Sequence, residues 1–370
     1  MRELREALVS VVSSGTPPPP ELIDRIDVGT EKYLNFFEKE IIENYIALGG
    51  SSCRFFEGVN GGGKSHVLRL LSRRAEKYKM LLVEIELSRL LSLRDWKNIT
   101  HHILNNIQFR NNGRTISGFA NILFELAPSN KKPLRHLRLR HTGFVNASDI
   151  ALNGLSSLDN PAREKLKSFL SGEKIGAGDL KRHRITGVKN PLSERNAETV
   201  LNTILSIVFE LGFTGTMMIF DETEDTFHSL RHSNRALIAA NLMRRFIDAS
   251  SNGIIKGTIA IFAVLPDFLP AASNAYPALG DRLNLQRPID GAPGWRCPLL
   301  RLEDITTCKA PEEFLQKIID KIVSQMPAEM GQHLKDKLMV EGDDVLNNVP
   351  GLDFRRPLVK RLASKTLEYI

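Results

Sequence analysis

The run Gly58-Val59-Asn60-Gly61-Gly62-Gly63-Lys64-Ser65 constrains this chain most, because it fills the phosphate-binding loop (P-loop) pattern G-x-x-x-x-G-K-S. Its glycines allow backbone conformations that a Cβ would forbid, so successive amide N–H groups can turn inward around a phosphate. An apolar stretch at 53–56 precedes the loop, and apolar residues at helical spacing follow it. The sequence therefore predicts a strand, a phosphate-binding loop and a helix in succession.

The residue types in this run indicate how a nucleoside triphosphate would be held. Lys64 would reach the β- and γ-phosphates, and the Ser65 hydroxyl would ligate Mg²⁺. A helix that begins near Lys64 would add its positive N-terminal end to the site. The predicted ligands are thus ATP and Mg²⁺. The residues expected to contact the nucleotide are Gly58, Asn60, Gly61, Gly62, Gly63, Lys64, Ser65 and His66.

A second motif lies at residues 216–222, where an apolar run ends in Asp221 and Glu222. Such a segment is typical of a Walker B strand, in which Asp221 would hold the Mg²⁺ shell and Glu222 would orient or deprotonate the attacking water. An acidic pair at the end of a strand is often only a solvated terminus. The P-loop pattern upstream favours the catalytic interpretation.

Composition and charge exclude several classes of protein. With 370 residues and 42% hydrophobic residues, the chain can bury a core of full size. No apolar run approaches the length of a membrane span, and residues 1–6 are too charged for a secretory signal, so we expect a cytoplasmic protein without membrane contact. The three cysteines form no C-x-x-C pair, and neither a zinc site nor a disulfide framework is predicted.

The net charge of +7 suggests an acidic partner. Two basic runs without any acid, at 131–141 and 181–184, lie between the two motifs. Basic runs are usually solvated surface, and DNA contact is an equally open interpretation here; because aromatic residues are sparse, any contact would be mainly to phosphates. The residues expected to contact DNA are Lys131, Lys132, Arg135, Arg138, Arg140, Lys181, Arg182 and Arg184.

Strands and helices alternate along the chain, which predicts an α/β fold with a parallel sheet covered on both faces. The expected parts are an N-terminal helical segment at 1–50, a P-loop ATPase core at 51–310 that contains an irregular, basic insertion at about 110–195, and a helical lid at 311–370. A short helix near 162–170 is the one regular element expected in the insertion.

The order of these motifs resembles AAA+ and STAND-type ATPases, and no guanine-specifying NKxD or DxxG motif is present. In that class an arginine from a neighbouring subunit completes the site, which implies a homo-oligomer, and Arg282 is the candidate. A lid arginine that senses the γ-phosphate would be Arg355 or Arg356. The apolar strand that ends at Leu265 lacks the polar residue usual at the sensor-1 position. Asp267 is a poor substitute for this polar residue, so the sequence supports nucleotide binding more strongly than hydrolysis.

A closer resemblance covers nearly the whole chain. The segments that carry it are residues 4–8, 27–31, 58–70, 169–173, 216–222, 246–248 and 278–283. Together they resemble the ATP-binding proteins of bacterial phage-defence operons, of the BrxD and BrxC type in BREX systems and the related ATPase of the Shango system. The resemblance implies an AAA+-like ATPase that acts with a DNA helicase or another defence-operon protein. It also implies that the segment around Val28 and Gly29 helps to cover the adenine.

Two other functions stay open. The chain could be a nucleotide-gated switch or adaptor that binds ATP but hydrolyses little, which the weak sensor-1 position favours. It could also be a kinase of a small molecule, with the basic runs as its acceptor site. The adjacent Asp221 and Glu222 favour water as the acceptor, and therefore an ATPase.

Overall fold

Seven strands hydrogen-bond side by side into a single sheet. A computed structural model describes residues 1–88, 90–111, 113–127, 134, 140–223, 233–283, 294–349 and 354–370. The strands are β1 Ser51–Glu57, β2 Leu81–Glu86, β3 Gln108–Asn111, β4 Arg114–Ser117, β5 Thr216–Asp221, β6 Thr258–Val264 and β7 Leu299–Arg301. Their order across the sheet is β4-β3-β2-β5-β6-β1-β7.

Helices make up most of the remaining structure. The α-helices are α1 Arg2–Ser14, α2 Glu31–Phe36, α3 Lys64–Lys77, α4 Trp96–Asn106, α5 Phe119–Leu126, α6 Thr142–Asp149, α7 Asn160–Leu170, α8 Ala177–Arg182, α9 Ala197–Glu210, α10 Ser233–Ser251, α11 Phe268–Ala275, α12 Pro277–Leu283, α13 Leu302–Ile305, α14 Pro311–Val323, α15 Ala328–Asn348 and α16 Arg355–Leu367. A π-helix, Phe37–Ile46, continues α2, and a second one, Ile150–Gly154, continues α6. Within the described ranges, no helix is long and apolar enough to cross a membrane.

Five adjacent strands of the sheet, from β2 to the edge strand β7, are parallel: β1 pairs with β6 and β7, and β5 pairs with β6 and β2. The hairpin of β3 and β4 adds an antiparallel edge that the sequence did not predict. The rings of Phe55, Phe262 and Phe220 stack in a row across β1, β6 and β5, with centroid distances of 5.1 and 4.5 Å. This row helps to hold the strand before the glycine-rich run in register with the strand that ends in the acidic pair.

Helices cover both faces of the sheet. The largest hydrophobic cluster lies on one face and includes residues of α4, α9 and α10, whereas α2, its π-helical continuation and α3 pack on the other face. Strands that are buried on both faces read as continuous apolar runs, and every residue of β6 is buried. The segments that follow the carboxyl ends of the parallel strands therefore meet along one accessible edge, where α/β sheets usually bind ligands.

The insertion at about 110–195 is more regular than expected. The expected helix near 162–170 is present as α7, and α5, α6 and α8 are additional helices. Phe119, Phe144 and Leu180, one from each of these three, are fully buried in the largest cluster. Each of the three helices has eight residues or fewer, so its apolar periodicity is too short to be distinguished from an irregular segment in sequence.

A third hydrophobic cluster joins the two ends of the chain. Leu4 and Leu8 of α1 pack in one cluster with Ile318 of α14, Leu338 of α15 and Leu358 of α16. The part of the chain after residue 310 is helical where it is described, as the sequence predicts. Helix α1 thus packs on the predicted helical lid at 311–370. From here on, the name helical lid means α1 together with α14, α15 and α16, and its role as a lid stays a prediction. The domain boundaries at residues 50 and 310 stay predictions.

Candidate functional site

A glycine-rich loop, residues 58–63, joins the carboxyl end of β1 to the first residue of α3. Gly63 has a φ of +102°, in the left-handed region that favours glycine. A Cβ on Gly58 would lie 2.9 Å from Cγ of Leu302 and closer still to its Cδ1, so a larger residue would displace that buried side chain. The first turn of α3 carries no acid. The loop is therefore a tight turn at a helix N-terminus, a geometry that suits an anion.

Lys64 begins α3, and its side chain folds back over the loop. Its Nζ donates hydrogen bonds to the carbonyl oxygens of Gly58, at 2.9 Å, and Val59, at 3.3 Å, and to Oδ1 of Asn60, at 3.4 Å. Lys64 is only 8% exposed. These three acceptors are neutral oxygens, and phosphate oxygens could replace them as acceptors of charge-assisted hydrogen bonds.

Ser65 and Asp221 meet although 156 positions separate them in sequence. Oγ of Ser65 lies 3.5 Å from Oδ2 of Asp221. β6 lies between β1 and β5, so the contact spans two strand spacings and joins the glycine-rich loop to the acidic end of β5. Hydroxyl and carboxylate oxygens are suitable ligands for Mg²⁺. Within the described ranges no group of three His, Cys, Asp or Glu could hold a metal ion, so Mg²⁺ at this pair would depend on phosphate and water oxygens for its other ligands.

Glu222 follows the last residue of β5 in an uncommon backbone conformation. Its φ is +54°, and its backbone N–H donates to Oδ1 of Asp221 at 2.9 Å. The next residue, Thr223, is buried, and its hydroxyl donates to the carbonyl oxygen of Ala263 in β6. A positive φ in a residue with a side chain costs about 1–3 kcal/mol and is often found at functional sites. The turn therefore exposes Glu222 beside Asp221 while Thr223 anchors it to the sheet.

Of the two candidate lid arginines, the structure brings Arg355 to the loop. Nη1 of Arg355 donates to the carbonyl oxygen of Gly62 at 3.2 Å. Arg356 is exposed and lies near Gly15, at the end of α1. A Cβ built on Gly15 would be 3.2 Å from Nη2 of Arg356. Arg355 and Arg356 are consecutive helical residues, so their side chains leave α16 in directions about 100° apart, and only one of them reaches the loop.

Arg282 does not contact the loop in the described structure. Its Nε donates to Oδ1 of Asp248 at 2.8 Å, and the other carboxylate oxygen of Asp248 pairs with Nη1 of Arg244 at 2.7 Å. The Asp248 carboxylate raises the pKa of Arg282, so its charge is kept. The Arg282 side chain is 41% exposed, which leaves it accessible to another molecule.

A buried carboxylate that sequence reasoning missed, Asp27, lies next to the first turn of α3. It accepts hydrogen bonds from Oγ1 of Thr30 at 2.6 Å and, through its other oxygen, pairs with Nε2 of His66 at 3.1 Å. Burial alone would raise the pKa of Asp27, but the bonds with His66 and Thr30 lower it overall. The Asp-x-x-Thr spacing was visible in the sequence, but no sequence pattern indicated that His66 pairs with Asp27.

The same segment contacts the chain that leads to the lid. The backbone N–H of Thr307 donates to the carbonyl oxygen of Gly29 at 2.7 Å. Gly29 has a φ of +82°, and a Cβ there would lie 2.6 Å from Sγ of Cys308. The segment therefore passes between α3 and the linker before α14. Its expected contact with adenine stays a prediction.

The strand that separates the loop from the acidic pair ends without a polar side chain. β6 ends at Val264, and Leu265 after it is half-buried; Asp267 is exposed. The end of β6 lies between the ends of β1 and β5, where a polar group could reach a bound phosphate. Leu265 and Asp267 thus follow the end of β6, and the interpretation of this position as a weak sensor-1 stays a prediction.

The basic residues expected to contact DNA fall into three groups. Lys131, Lys132, Arg135 and Arg138 lie outside the described residues. Arg140 is half-buried, donates to the carbonyl oxygen of Asn202 at 3.5 Å, and has its pKa lowered by burial. The third group is exposed around the end of α8 and consists of Lys181, Arg182 and Arg184. Contact with DNA stays a prediction, and the residues of this third group are accessible for such a contact.

Comparison with known proteins places these features in a family. The family model described as "BREX system ATP-binding protein BrxC/D" matches residues 1–123 and 129–341. No curated protein and no solved structure matches significantly. The matched ranges contain the glycine-rich loop, Asp221, Glu222 and Arg282, and end before Arg355. The chain therefore belongs to the BREX system ATP-binding protein BrxC/D family.

Proposed function

We propose that the chain binds ATP with Mg²⁺ in the glycine-rich loop and hydrolyses it as an AAA+-like P-loop ATPase of a phage-defence system. One observation carries the proposal: Ser65, the last residue of the loop motif, lies 3.5 Å from Asp221 at the end of β5. The two residues are 156 positions apart in sequence, and their contact is what a shared Mg²⁺ site requires. The family description as ATP-binding supports the choice of nucleotide.

The loop would hold the phosphates through its backbone and through Lys64. The backbone amides of residues 63–65 lie at the N-terminal end of α3 and would donate to phosphate oxygens, and Lys64 would exchange its bonds to Gly58 and Val59 for bonds to the β- and γ-phosphates. Arg355 begins α16, whose first turn also carries no acid. Two helix N-termini and two cations therefore act on the same anion, and Arg355 would donate to the γ-phosphate next to Gly62.

Glu222 would position the attacking water and accept its proton. Bound Mg²⁺ supplies charge neutralisation on the phosphate oxygens. Asp221 fixes the backbone of Glu222 through the bond from the Glu222 N–H to Oδ1, so the metal ligand and the base are held in one turn. Thr223 anchors this turn to β6, and the water position would therefore depend on the sheet rather than on a free loop.

A neighbouring subunit would complete the site. We propose Arg282 for this role, because its guanidinium is charged and accessible and, within the described residues, pairs with Asp248 rather than with the glycine-rich loop. An arginine that acts in this way contributes on the order of 10³-fold or more to turnover. Hydrolysis by the isolated chain would then be slow, and the homo-oligomer would be the active form.

Membership of a BREX family supports action together with other proteins of the defence operon. We propose that ATP binding and hydrolysis change the position of the helical lid, and that this change controls contact with DNA or with a helicase partner in the cytoplasm. The exposed group Lys181, Arg182 and Arg184 supplies positive charge for phosphate contacts.

A switch or adaptor with little hydrolysis is the second candidate. The observation that favours it is the end of β6, where Leu265 offers no polar group to the γ-phosphate and Asp267 would bring a negative charge. Such a protein would bind ATP with the same residues. It would differ in turnover alone.

The test is phosphate release by the purified chain at low salt, with and without double-stranded or single-stranded DNA. Wild type is compared with Lys64→Ala and Glu222→Gln. DNA-stimulated release that both substitutions abolish would support the ATPase. Retention of ATP with no turnover under any of these conditions would contradict hydrolysis and support the switch. A wild type that binds no ATP would refute both.

A further inference from the structure

Arg355 is a half-buried cation, and no residue in the described part of the chain forms an ion pair with it. Among the described residues, its only hydrogen-bond acceptor is the carbonyl oxygen of Gly62, and no carboxylate forms an ion pair with it. Burial lowers the pKa of Arg355, and Glu303 offsets only part of this effect without pairing. An unpaired charge in such a place is costly, so other groups must stabilise it until an anion binds.

Two aromatic rings of the helical lid contact the guanidinium. The Cζ atom of Arg355 lies 5.5 Å from the ring centroid of Phe314 in α14 and 6.0 Å from that of Phe354, which precedes α16. The two rings meet edge to face, with centroids 5.9 Å apart and an interplanar angle of 82°. Phe354 is 5% exposed and belongs to the lid cluster, and Phe314 packs against that cluster.

This arrangement restrains the guanidinium while leaving most of its donors available. Ring faces attract a cation within about 6 Å, and the attraction grows when the cation is desolvated. Arginine has five N–H donors in a planar fork, and the structure assigns one of the Nη1 hydrogens to Gly62. A carboxylate beside the guanidinium would accept hydrogen bonds from it, whereas the rings lie beside it without using any of its N–H donors. The remaining donors can therefore reach phosphate oxygens.

We propose that Phe314 and Phe354 are positioning residues that hold Arg355 beside Gly62, so that the site prefers ATP to ADP. The inference rests on the proposed nucleotide site. It adds that the preference for a γ-phosphate depends on an aromatic pair from the lid and not only on the charge of Arg355. Since Phe314 and Phe354 come from two different lid elements, the preference also depends on how α14 and α16 pack together.

The test uses the full chain and measures dissociation constants for the Mg²⁺ complexes of AMP-PNP, a non-hydrolysable ATP analogue, and of ADP by calorimetry. Phe314→Leu should reduce the preference for AMP-PNP over ADP by about three- to tenfold and leave ADP affinity unchanged. Phe314→Tyr keeps the ring and should keep the preference. Arg355→Ala should reduce the preference at least as far as Phe314→Leu.

A matched control comes from the same lid. Nζ of Lys337 lies 4.7 Å from the ring centroid of Tyr369 and donates to its hydroxyl at 2.7 Å, so Tyr369→Leu removes a contact between a cation and an aromatic side chain that does not involve Arg355. It should leave the nucleotide preference unchanged. Arg355→Lys retains the charge but not the planar fork, and it should lose the preference for AMP-PNP as Arg355→Ala does. Because this variant leaves both rings in place, it tests the inference even where Phe314→Leu folds poorly.

The outcomes separate the inference from the proposed function. If Phe314→Leu keeps the preference, or weakens both nucleotides equally, the rings have only a structural role and the inference is overturned. If Arg355→Lys keeps the preference, a positioned plane is not needed and the inference is also overturned. If wild type binds neither nucleotide, the proposed function fails as well. If wild type binds both with the same affinity, ATP binding stands and the role of Arg355 and its rings falls.

Discussion

Replacing Gly58 with alanine tests whether the loop needs glycine because of a neighbour rather than because of its own backbone angles. The Cβ of Gly58→Ala would lie 2.9 Å from Cγ of Leu302 and 3.3 Å from Cγ of Lys64. Leu302 is 2% exposed, so it has little room to withdraw. Overpacking of this kind costs about 1–3 kcal/mol, and we expect the free energy of unfolding to fall by this amount.

Nucleotide binding should suffer together with stability. If the loop moves away from Leu302 to relieve the contact, at least one hydrogen bond to phosphate is lost. A hydrogen bond to a charged group contributes about 1.5–3 kcal/mol, so ATP affinity should fall by about tenfold or more. Urea unfolding and calorimetry of the same preparations measure the two effects.

A double substitution identifies the cause. Leu302→Ala alone creates a cavity and should cost about 2–5 kcal/mol. Combined with Gly58→Ala it provides the room that the new methyl group needs, so the double variant should be more stable than the sum of the single effects predicts, by about 0.5–3 kcal/mol. It should also recover part of the lost ATP affinity.

Gly178 in α8 provides the control, because a Cβ there would meet nothing within 4 Å. Gly178→Ala should leave ATP affinity unchanged and stabilise the chain by up to about 1 kcal/mol, as expected for alanine in a helix. The reasoning would be refuted by a Gly58→Ala variant with wild-type stability and affinity. Additive effects of Gly58→Ala and Leu302→Ala would refute it as well.

Three further predictions concern the metal, a buried acid and the basic surface. Asp221→Asn should remove the dependence of ATP affinity on Mg²⁺, which calorimetry with Mg²⁺ and with EDTA measures; a retained dependence would place the metal elsewhere. The pKa of Asp27 is lowered in the folded chain, so its contribution is present above the unfolded value near 4 and is lost as pH falls through the folded value. Asp27→Asn should therefore cost about 1–3 kcal/mol at pH 7, and the gap to wild type should narrow below about pH 4. A gap that stays constant with pH would show that the pair with His66 does not carry this stability. Lys181→Ala combined with Arg182→Ala should reduce the salt dependence of DNA binding by a slope of about 2, since each phosphate contact contributes about 0.9; an unchanged slope would exclude this surface.

The local patterns of the sequence predicted the centre of the fold and the positions of the glycine-rich loop and the acidic pair at the ends of strands. β5 and β6 are apolar runs, whereas β1 contains Arg54 and β2 contains Glu84. The expected stretches at 53–56 and 216–222 and the expected end at Leu265 agree with β1, β5 and β6 within one or two residues. Two further strands, β3 and β4, have four residues each and form a hairpin, and β7 has three residues. Strands this short are defined by their partners in the sheet and not by their own residues, so the sequence pattern did not indicate them.

The sequence by itself determined the chemistry of this protein: a loop that suits phosphate, an acidic pair at the end of a buried strand, and membership of a family of ATP-binding proteins. These are local, since backbone freedom and functional groups belong to single residues and their neighbours. Only the tertiary structure decided which arginine reaches the loop, that Asp248 holds Arg282, and that Asp27 supports His66. Arg355 and Arg356 are identical in type and adjacent in sequence, and only the orientation of α16 relative to the glycine-rich loop distinguishes them. Such contacts join residues far apart in the chain, and packing selects them only after the sheet and the lid have formed.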